Sequence, residues 1–262
     1  MHAMANMALR AARRAGDILL HSMDRLDELK IEEKAPNDFV SNVDRESEAA
    51  IIEVLHKAYP DHAIVGEEHG LSVTSESDEF TWIIDPLDGT LNYLRGIPHF
   101  CVSIALRKGR HIEHGVIIDP VRNEEWVASR GSGAHLNGKR IRVSKTRRLS
   151  GAVLSTGLPP RAMDRFDVHM GIMKHMTREC LAIRRQGSAA LDLAYTAAGR
   201  VDGFWEIGLQ RWDIAAGSLL VKEAGGFVSD LQGGDKYLDS GDIVAANPKC
   251  FKAMVAGIRP HL

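Results

Sequence analysis

The stretch Trp82-Ile-Ile-Asp85-Pro86-Leu87-Asp88-Gly89-Thr90 constrains this chain more than any other. An apolar run beginning at Phe80 delivers a carboxylate, Asp85, at its end, and the proline after it favours a turn or a first helical position. Asp88 comes three residues later, so on a helical turn the two carboxylates point the same way. Gly89 and Thr90 follow, where the open N–H groups of a helix start can receive an anion. Two convergent carboxylates beside an anion seat suit a divalent cation and a phosphate. A capped surface turn with solvated acids would use the same residues, so the stretch needs support from elsewhere in the chain.

The surrounding pattern predicts an α/β chain. Apolar residues at Met4, Met7, Ala8, Ala11, Ala15, Ile18 and Leu19 follow helical spacing, which predicts an amphipathic helix over 4–23 rather than a signal peptide. A second helix is expected over 47–59, closed by Pro60. Strands are expected over 63–66, 80–85, 99–107, 111–118, 124–129 and 134–143, the last with a hairpin turn at Asn137-Gly138. Beyond residue 150 strands (151–156, 182–185, 202–206, near Phe227 and near Ile243) alternate with helices (166–179, 189–198, 213–224), which favours an α/β half. The expected organisation is a 1–145 α+β lobe carrying the carboxylate stretch and a 146–262 α/β lobe, packed as one unit.

Composition removes several classes of function. The 33 basic and 35 acidic residues leave a net charge of −2, so no global field calls for nucleic acid or acidic lipid. No run approaches the ~20 apolar residues of a membrane span. Three cysteines, Cys101, Cys180 and Cys250, lie far apart and argue for reduced thiols and a cytoplasmic home.

Two further acids stand in suggestive places. Gly66-Glu67-Glu68 directly follows an apolar strand, and Trp212-Asp213 opens a helix, where Asp213 has the character of a cap. Together with the first stretch, these motifs resemble the inositol monophosphatase family. The likeness extends to Lys34-Ala-Pro-Asn-Asp38-Phe-Val-Ser-Asn-Val-Asp44, to Gly133-Ala-His-Leu-Asn-Gly138 and to Arg184-Arg-Gln-Gly187-Ser-Ala-Ala-Leu-Asp192, so it spans nearly the whole chain. Leu91 departs from the family pattern where a second Thr is usual, and Tyr93 stands where Phe is commoner; neither removes a carboxylate.

The resemblance implies a layered αβαβα sandwich and Mg²⁺-dependent hydrolysis of a phosphate monoester, inositol 1-phosphate foremost. It implies Glu67, Asp85 and the Leu87 carbonyl as ligands of one Mg²⁺. Asp85, Asp88 and Asp213 would hold a second, and Glu67 would touch a third. Asp44 and Thr90 would orient and activate the attacking water. Gly89 and Thr90 would offer N–H groups to the phosphate, and Gly187, Ser188, Ala189 and Glu206 would hold the substrate's hydroxyl face. Arg184 and Lys34 are weaker candidates, as basic side chains for anionic neighbours. Lithium sensitivity and a homodimer are implied as well. Physics supports the grouping independently of the family: four carboxylates in one cleft repel by roughly 4 kcal/mol per pair at ~4 Å and an effective dielectric near 20, so they protonate or bind cations.

Other readings fare worse. Cys101 to Arg107 fits C-x5-R, the spacing of cysteine-dependent phosphatases, yet its interior reads as a strand rather than a phosphate-wrapping loop, so Cys101 is expected to be a small buried hydrophobe. Leu87-Asp88-Gly89-Thr90 echoes the D-x-D-G-T of haloacid-dehalogenase phosphatases, but the nucleophilic position falls on Pro86. The twelve histidines form no metal-binding pattern and read as scattered surface residues. Trp82 and Trp212 are expected to pack beneath the two acidic turns, and Met170, Met173 and Met176 to form one side of a helix. The segment 139–148 holds six basic residues in ten. A solvated hairpin edge explains it, and a docking patch is the second reading. Family resemblance implies that some bacterial members act in ribosomal RNA transcription (antitermination) complexes. Without interleaved aromatics a protein partner is expected there rather than direct nucleic-acid binding.

Overall fold

The computed structural model describes residues 2–26, 31–35, 38–68, 70–73, 79–158 and 162–262, with backbone only at 31–35, 38–40 and 71–73. Helix α1 (Ala3–Met23) starts at His2, whose ring nitrogen accepts from the Met4 amide, and buries Ala5, Ala8, Ala11, Ala12, Ala15 and Leu19. Strands β1 (Ile31–Ala35) and β2 (Asp38–Ser41) form an antiparallel hairpin that leads into α2 (Asn42–Ala58). This helix begins five residues before the expected 47, because Ser41 and Asp44 form a reciprocal capping box.

Strands β3 (Ala63–Gly66), β4 (Gly70–Val73) and β5 (Phe80–Asp88) come next, then the short α3 (Thr90–Leu94). They are followed by β6 (Cys101–Lys108), β7 (His111–Asp119), β8 (Glu124–Ser129), β9 (Gly133–Leu136) and β10 (Lys139–Arg140). These strands build one sheet in the order β10-β9-β8-β7-β6-β5-β3-β4. The hairpin expected within 134–143 is present: β9 and β10 pair across Asn137-Gly138, where both residues have positive φ, 48° and 76°.

The second sheet uses β11 (Val153–Thr156), β12 (Ala182–Arg184), β13 (Gly203–Glu206), β14 (Phe227–Ser229) and β15 (Ile243–Ala246), in the order β12-β11-β13-β15-β14. Between them run α4 (Phe166–Glu179), α5 (Ala189–Ala197), α6 (Arg211–Glu223) and α7 (Tyr237–Ser240), and α8 (Pro248–Ile258) follows β15. Helix α8 was not expected from the sequence, although it starts on ordinary signals: Asn247 caps the Lys249 and Cys250 amides and Pro248 takes the first helical position.

Helices α1 and α2 cover one face of the larger sheet, α5 and α6 lie between the two sheets, and α4 and α8 cover the far face of the smaller one. That is the expected αβαβα layering, with three apolar cores: one between α1/α2 and the larger sheet, one around α5/α6 between the two sheets, and one between the smaller sheet and α4/α8. Among the described residues no helix is long and apolar enough to cross a membrane.

The histidines correct the expectation of a scattered surface set. His99, His114 and His169 are buried, while His111, on the opposite side of β7 from His114, is exposed. His114 meets Ser129 at 2.9 Å, and burial, with His2 beside it, pushes its imidazole down to about 4. Trp82 is fully buried beside Tyr59 and His62, in the core that also holds Ile84 and Leu87. Along α4, Met176 is buried and Met170 is exposed.

Candidate active site

Asp85 and Asp88 converge, but not on a helical turn. Strand β5 continues through both, and its pairing with β6 shifts register between them: Asp85 faces Ser103 and Asp88 faces Cys101. Three steps on β5 therefore match two on β6, and this bulge turns toward one side two carboxylates that a regular strand would place on opposite faces. Asp85 Oδ1 accepts from the Leu87 amide at 3.0 Å. Asp88 Oδ2 accepts from the Ser188 hydroxyl at 2.6 Å and from the Ala190 amide at 2.7 Å, which ties β5 to the start of α5. Gly89 has φ +97°, and a Cβ there would lie 3.0 Å from the His99 carbonyl and 3.3 Å from that of Gly187. Only glycine meets both demands.

The remaining acids arrive from other layers. Glu67 follows β3. Asp213 is the third residue of α6, where Oδ2 accepts from the Gln210 amide at 2.7 Å, so the cap character read from sequence is real and coexists with a place in the cleft. A cleft of about 190 Å³ is lined by Glu67, Asp85, Leu87, Asp88, Gly89, Thr90, Gly187, Ser188, Ala189, Glu206 and Asp213. Asp44 stands behind this wall: its Oδ1 is 3.4 Å from the Thr90 hydroxyl, which also donates to the Leu87 carbonyl at 3.0 Å. Asp44 Oδ2 is fixed by the Ser41 amide at 2.9 Å and the Ser41 hydroxyl at 2.6 Å.

Arg184 corrects a sequence expectation. It ends strand β12, is exposed, and does not line the cleft; Arg185, one residue past the strand, does. A one-residue step beyond a strand end reverses the side-chain direction, and sequence alone could not say where β12 stops. The side chain of Lys34 lies outside the described residues.

Burial pushes the Asp85 carboxyl well above the usual carboxylate range, and the charges of Glu67, Asp88 and Asp213 push it further. Asp88 is raised by burial too, against the opposing hydrogen bonds from Ser188 and Ala190. Burial also holds the Cys101 thiol well above its ordinary range, 3.9 Å from Asp88, so it is a protonated packing group as expected.

Residues 1–261 match the sequence model of the Inositol monophosphatase family. The chain belongs to this family. It is 52% identical to the Nus factor SuhB of Pseudomonas aeruginosa and 50% identical to that of Escherichia coli K12, each over 100% of this chain and 98% of the relative. Among solved structures, the extragenic suppressor protein suhB from Bartonella henselae matches with TM-score 0.96 at 41% identity over 100% of both chains. The Thermotoga maritima IMPase matches with TM-score 0.87 at 35% identity, over 98% of this chain and 96% of that one.

The donor set fits the divalent cation expected of an inositol monophosphatase. It is all oxygen, buried at Asp85 and Asp213 and half-buried at Glu67 and Asp88, and mutually repelling, which suits Mg²⁺. Among the described residues no three acidic, histidine or cysteine side chains are already gathered tightly enough to hold an ion. The backbone amides of Leu87, Ala190 and Gln210 each donate to one of the carboxylates, Asp85, Asp88 and Asp213 in turn. Drawing them closer costs repulsion that a cation offsets.

Sequence reasoning missed Arg185, Asn92 and Asp192. Asn92 donates to the His99 and Gln186 carbonyls, both at 2.8 Å, and so joins α3 to the loop before α5. Asp192 lies four residues after the cap Ser188, on the same helical face, and lines the cleft. The spacing in Ser188-Ala-Ala-Leu-Asp192 was the available signal.

Proposed function

We propose that this protein is a Mg²⁺-dependent phosphomonoesterase whose substrate is a phosphorylated polyol, inositol 1-phosphate foremost. The observation that carries this reading is the convergence of Glu67, Asp85, Asp88 and Asp213 on one cleft beside Gly89 and Thr90. Glu67, Asp85, the Leu87 carbonyl, Asp88 and Asp213 would hold two or three Mg²⁺. When bound, Mg²⁺ supplies the positive charge that admits a phosphate dianion among four acids and polarises its phosphorus–oxygen bonds.

The chain's own groups do the rest. The Gly89 and Thr90 N–H groups receive a phosphate oxygen. Turning the Thr90 hydroxyl hydrogen from the Leu87 carbonyl to Asp44 frees Oγ1 to accept from the attacking water. Ser41 holds Asp44 ready for that proton. Glu67 shares in orienting the water. Gly187, Ser188, Ala189 and Glu206 meet the organic half of the substrate, with Arg185 taking the place expected of Arg184. No covalent intermediate is needed: burial keeps the Cys101 thiol protonated, and the Ser188 hydroxyl is committed to Asp88.

Phosphate release should be measured over inositol 1-phosphate, glycerol 2-phosphate, a nucleoside monophosphate, fructose 1,6-bisphosphate and an adenosine bisphosphate, with Mg²⁺ and with chelator. Mg²⁺-dependent release, fastest from inositol 1-phosphate, is expected. No release from any of them refutes the reading.

A second reading is docking in a transcription assembly, with hydrolysis secondary. The two Nus factor relatives motivate it, and so does the basic segment. Among the described residues none of Lys139, Arg140, Arg142, Lys145, Arg147 and Arg148 takes part in an ion pair, whereas Arg13, Arg122, Arg165 and Arg200 each do. Charge reversal at Arg147 and Arg148 should weaken assembly with the transcription proteins and spare phosphate release; undiminished assembly removes this reading.

A further inference from the structure

Six acids line the cleft, and four suffice for the cations. The other two, Asp192 on α5 and Glu206 at the end of β13, line the same cleft: Asp192 is the first charge that Glu206 feels, and Asp192 in turn feels Asp88 and Arg185. Asp192 is 1% exposed, and its Oδ1 has no hydrogen-bond partner among the described residues. Ser155, buried on the adjacent β11, turns its hydroxyl toward Asp192 and steadies its charge, though without a well-formed hydrogen bond. Glu206 fits only because residue 157 is glycine; a Cβ there would fall 2.1 Å from Oε1 and 2.3 Å from Oε2. Among the described residues the one basic side chain lining the cleft is Arg185, which is exposed. An unsatisfied acid in such a place costs stability, and a ligand that donates hydrogen bonds removes the cost.

We propose that Asp192 determines specificity: with Glu206 it forms a carboxyl pair that receives adjacent hydroxyl groups of the substrate and turns away a second phosphate. This rests on the phosphatase reading above. A hydroxyl both donates and accepts, so it pairs with a carboxyl group in either protonation state. A phosphate dianion only accepts, and it would bring like charge and facing acceptors into a buried wall. The favoured substrate class is therefore a monophosphate whose organic half is an uncharged polyol.

The test compares kcat/KM for inositol 1-phosphate, fructose 1,6-bisphosphate and p-nitrophenyl phosphate in the wild type, Asp192→Asn and Gly157→Ala. The alanine displaces Glu206 and so disturbs the pair from its other side. In each variant the loss on inositol 1-phosphate should exceed that on p-nitrophenyl phosphate by about tenfold or more, the scale of one charged hydrogen bond. The preference over the bisphosphate should shrink by a similar factor, and binding of free inositol, measured by calorimetry, should weaken. Equal losses on all three substrates in a folded Asp192→Asn variant overturn the proposal while leaving the phosphatase reading intact. If Asp192→Asn does not fold, Asp192→Ser decides by the same ratios. A wild type that hydrolyses none of the three overturns both readings.

Discussion

Replacing Asp85 by Asn should stabilise the protein without metal and remove its response to Mg²⁺. Asp85 is 1% exposed, and its carboxyl is pushed well up by burial and then by three acidic neighbours. A folded-state midpoint above the unfolded value of ~3.9 means that the unfolded chain releases the proton first, so stability falls as pH rises above ~4. One like charge at ~8 Å costs about 2 kcal/mol at an effective dielectric of 20. Against this, the Leu87 amide bond at 3.0 Å loses a charged acceptor, about 1 kcal/mol. The net gain is about 1 kcal/mol or more, near 2 °C in Tm for a chain this long. Thermal unfolding in chelator at pH 8 should show the variant above the wild type, with the gap closing toward pH 4. Mg²⁺ at about 100 times its Kd should raise the wild type by roughly 2.7 kcal/mol and the variant by far less. A variant that is less stable in chelator and gains as much from Mg²⁺ as the wild type refutes the reasoning.

Asp213→Asn should fold and lose most Mg²⁺-dependent phosphate release, since Asn keeps the shape and the Gln210 contact but not the charge; full activity at saturating Mg²⁺ refutes its role. Thr90→Ser should retain much of the rate, whereas Thr90→Val should lose on the order of 10²–10⁴. Equal rates for the two remove Thr90 from the mechanism. Turnover in H₂¹⁸O should place one heavy oxygen in the phosphate with no phosphorylated protein at acid quench; a stoichiometric phosphoenzyme refutes direct attack by water. Gly89→Ala should destabilise the fold by about 1–3 kcal/mol, because the residue has φ +97° and the new Cβ meets the His99 carbonyl. Unchanged chemical denaturation would contradict this.

Local pattern was enough for much of this protein. Helix α4 and strands β3 and β8 lie at their expected bounds, because apolar periodicity and flanking turn residues act within a few positions. The acids Glu67, Asp85, Asp88 and Asp213 were legible from their motifs. Tertiary structure decided how they meet. The turn expected to join Asp85 to Asp88 is a strand bulge, imposed by the partner strand β6. Arg185 rather than Arg184 reaches the cleft, since the end of β12 depends on its pairing with β11. Asp192 and Asn92 look like ordinary helix residues until α5 and α3 are docked. His99, His114 and His169 are buried because the layers close over them. Backbone periodicity is written along the chain, whereas the direction of a side chain at an element's end is set by hydrogen bonds to segments tens of residues away.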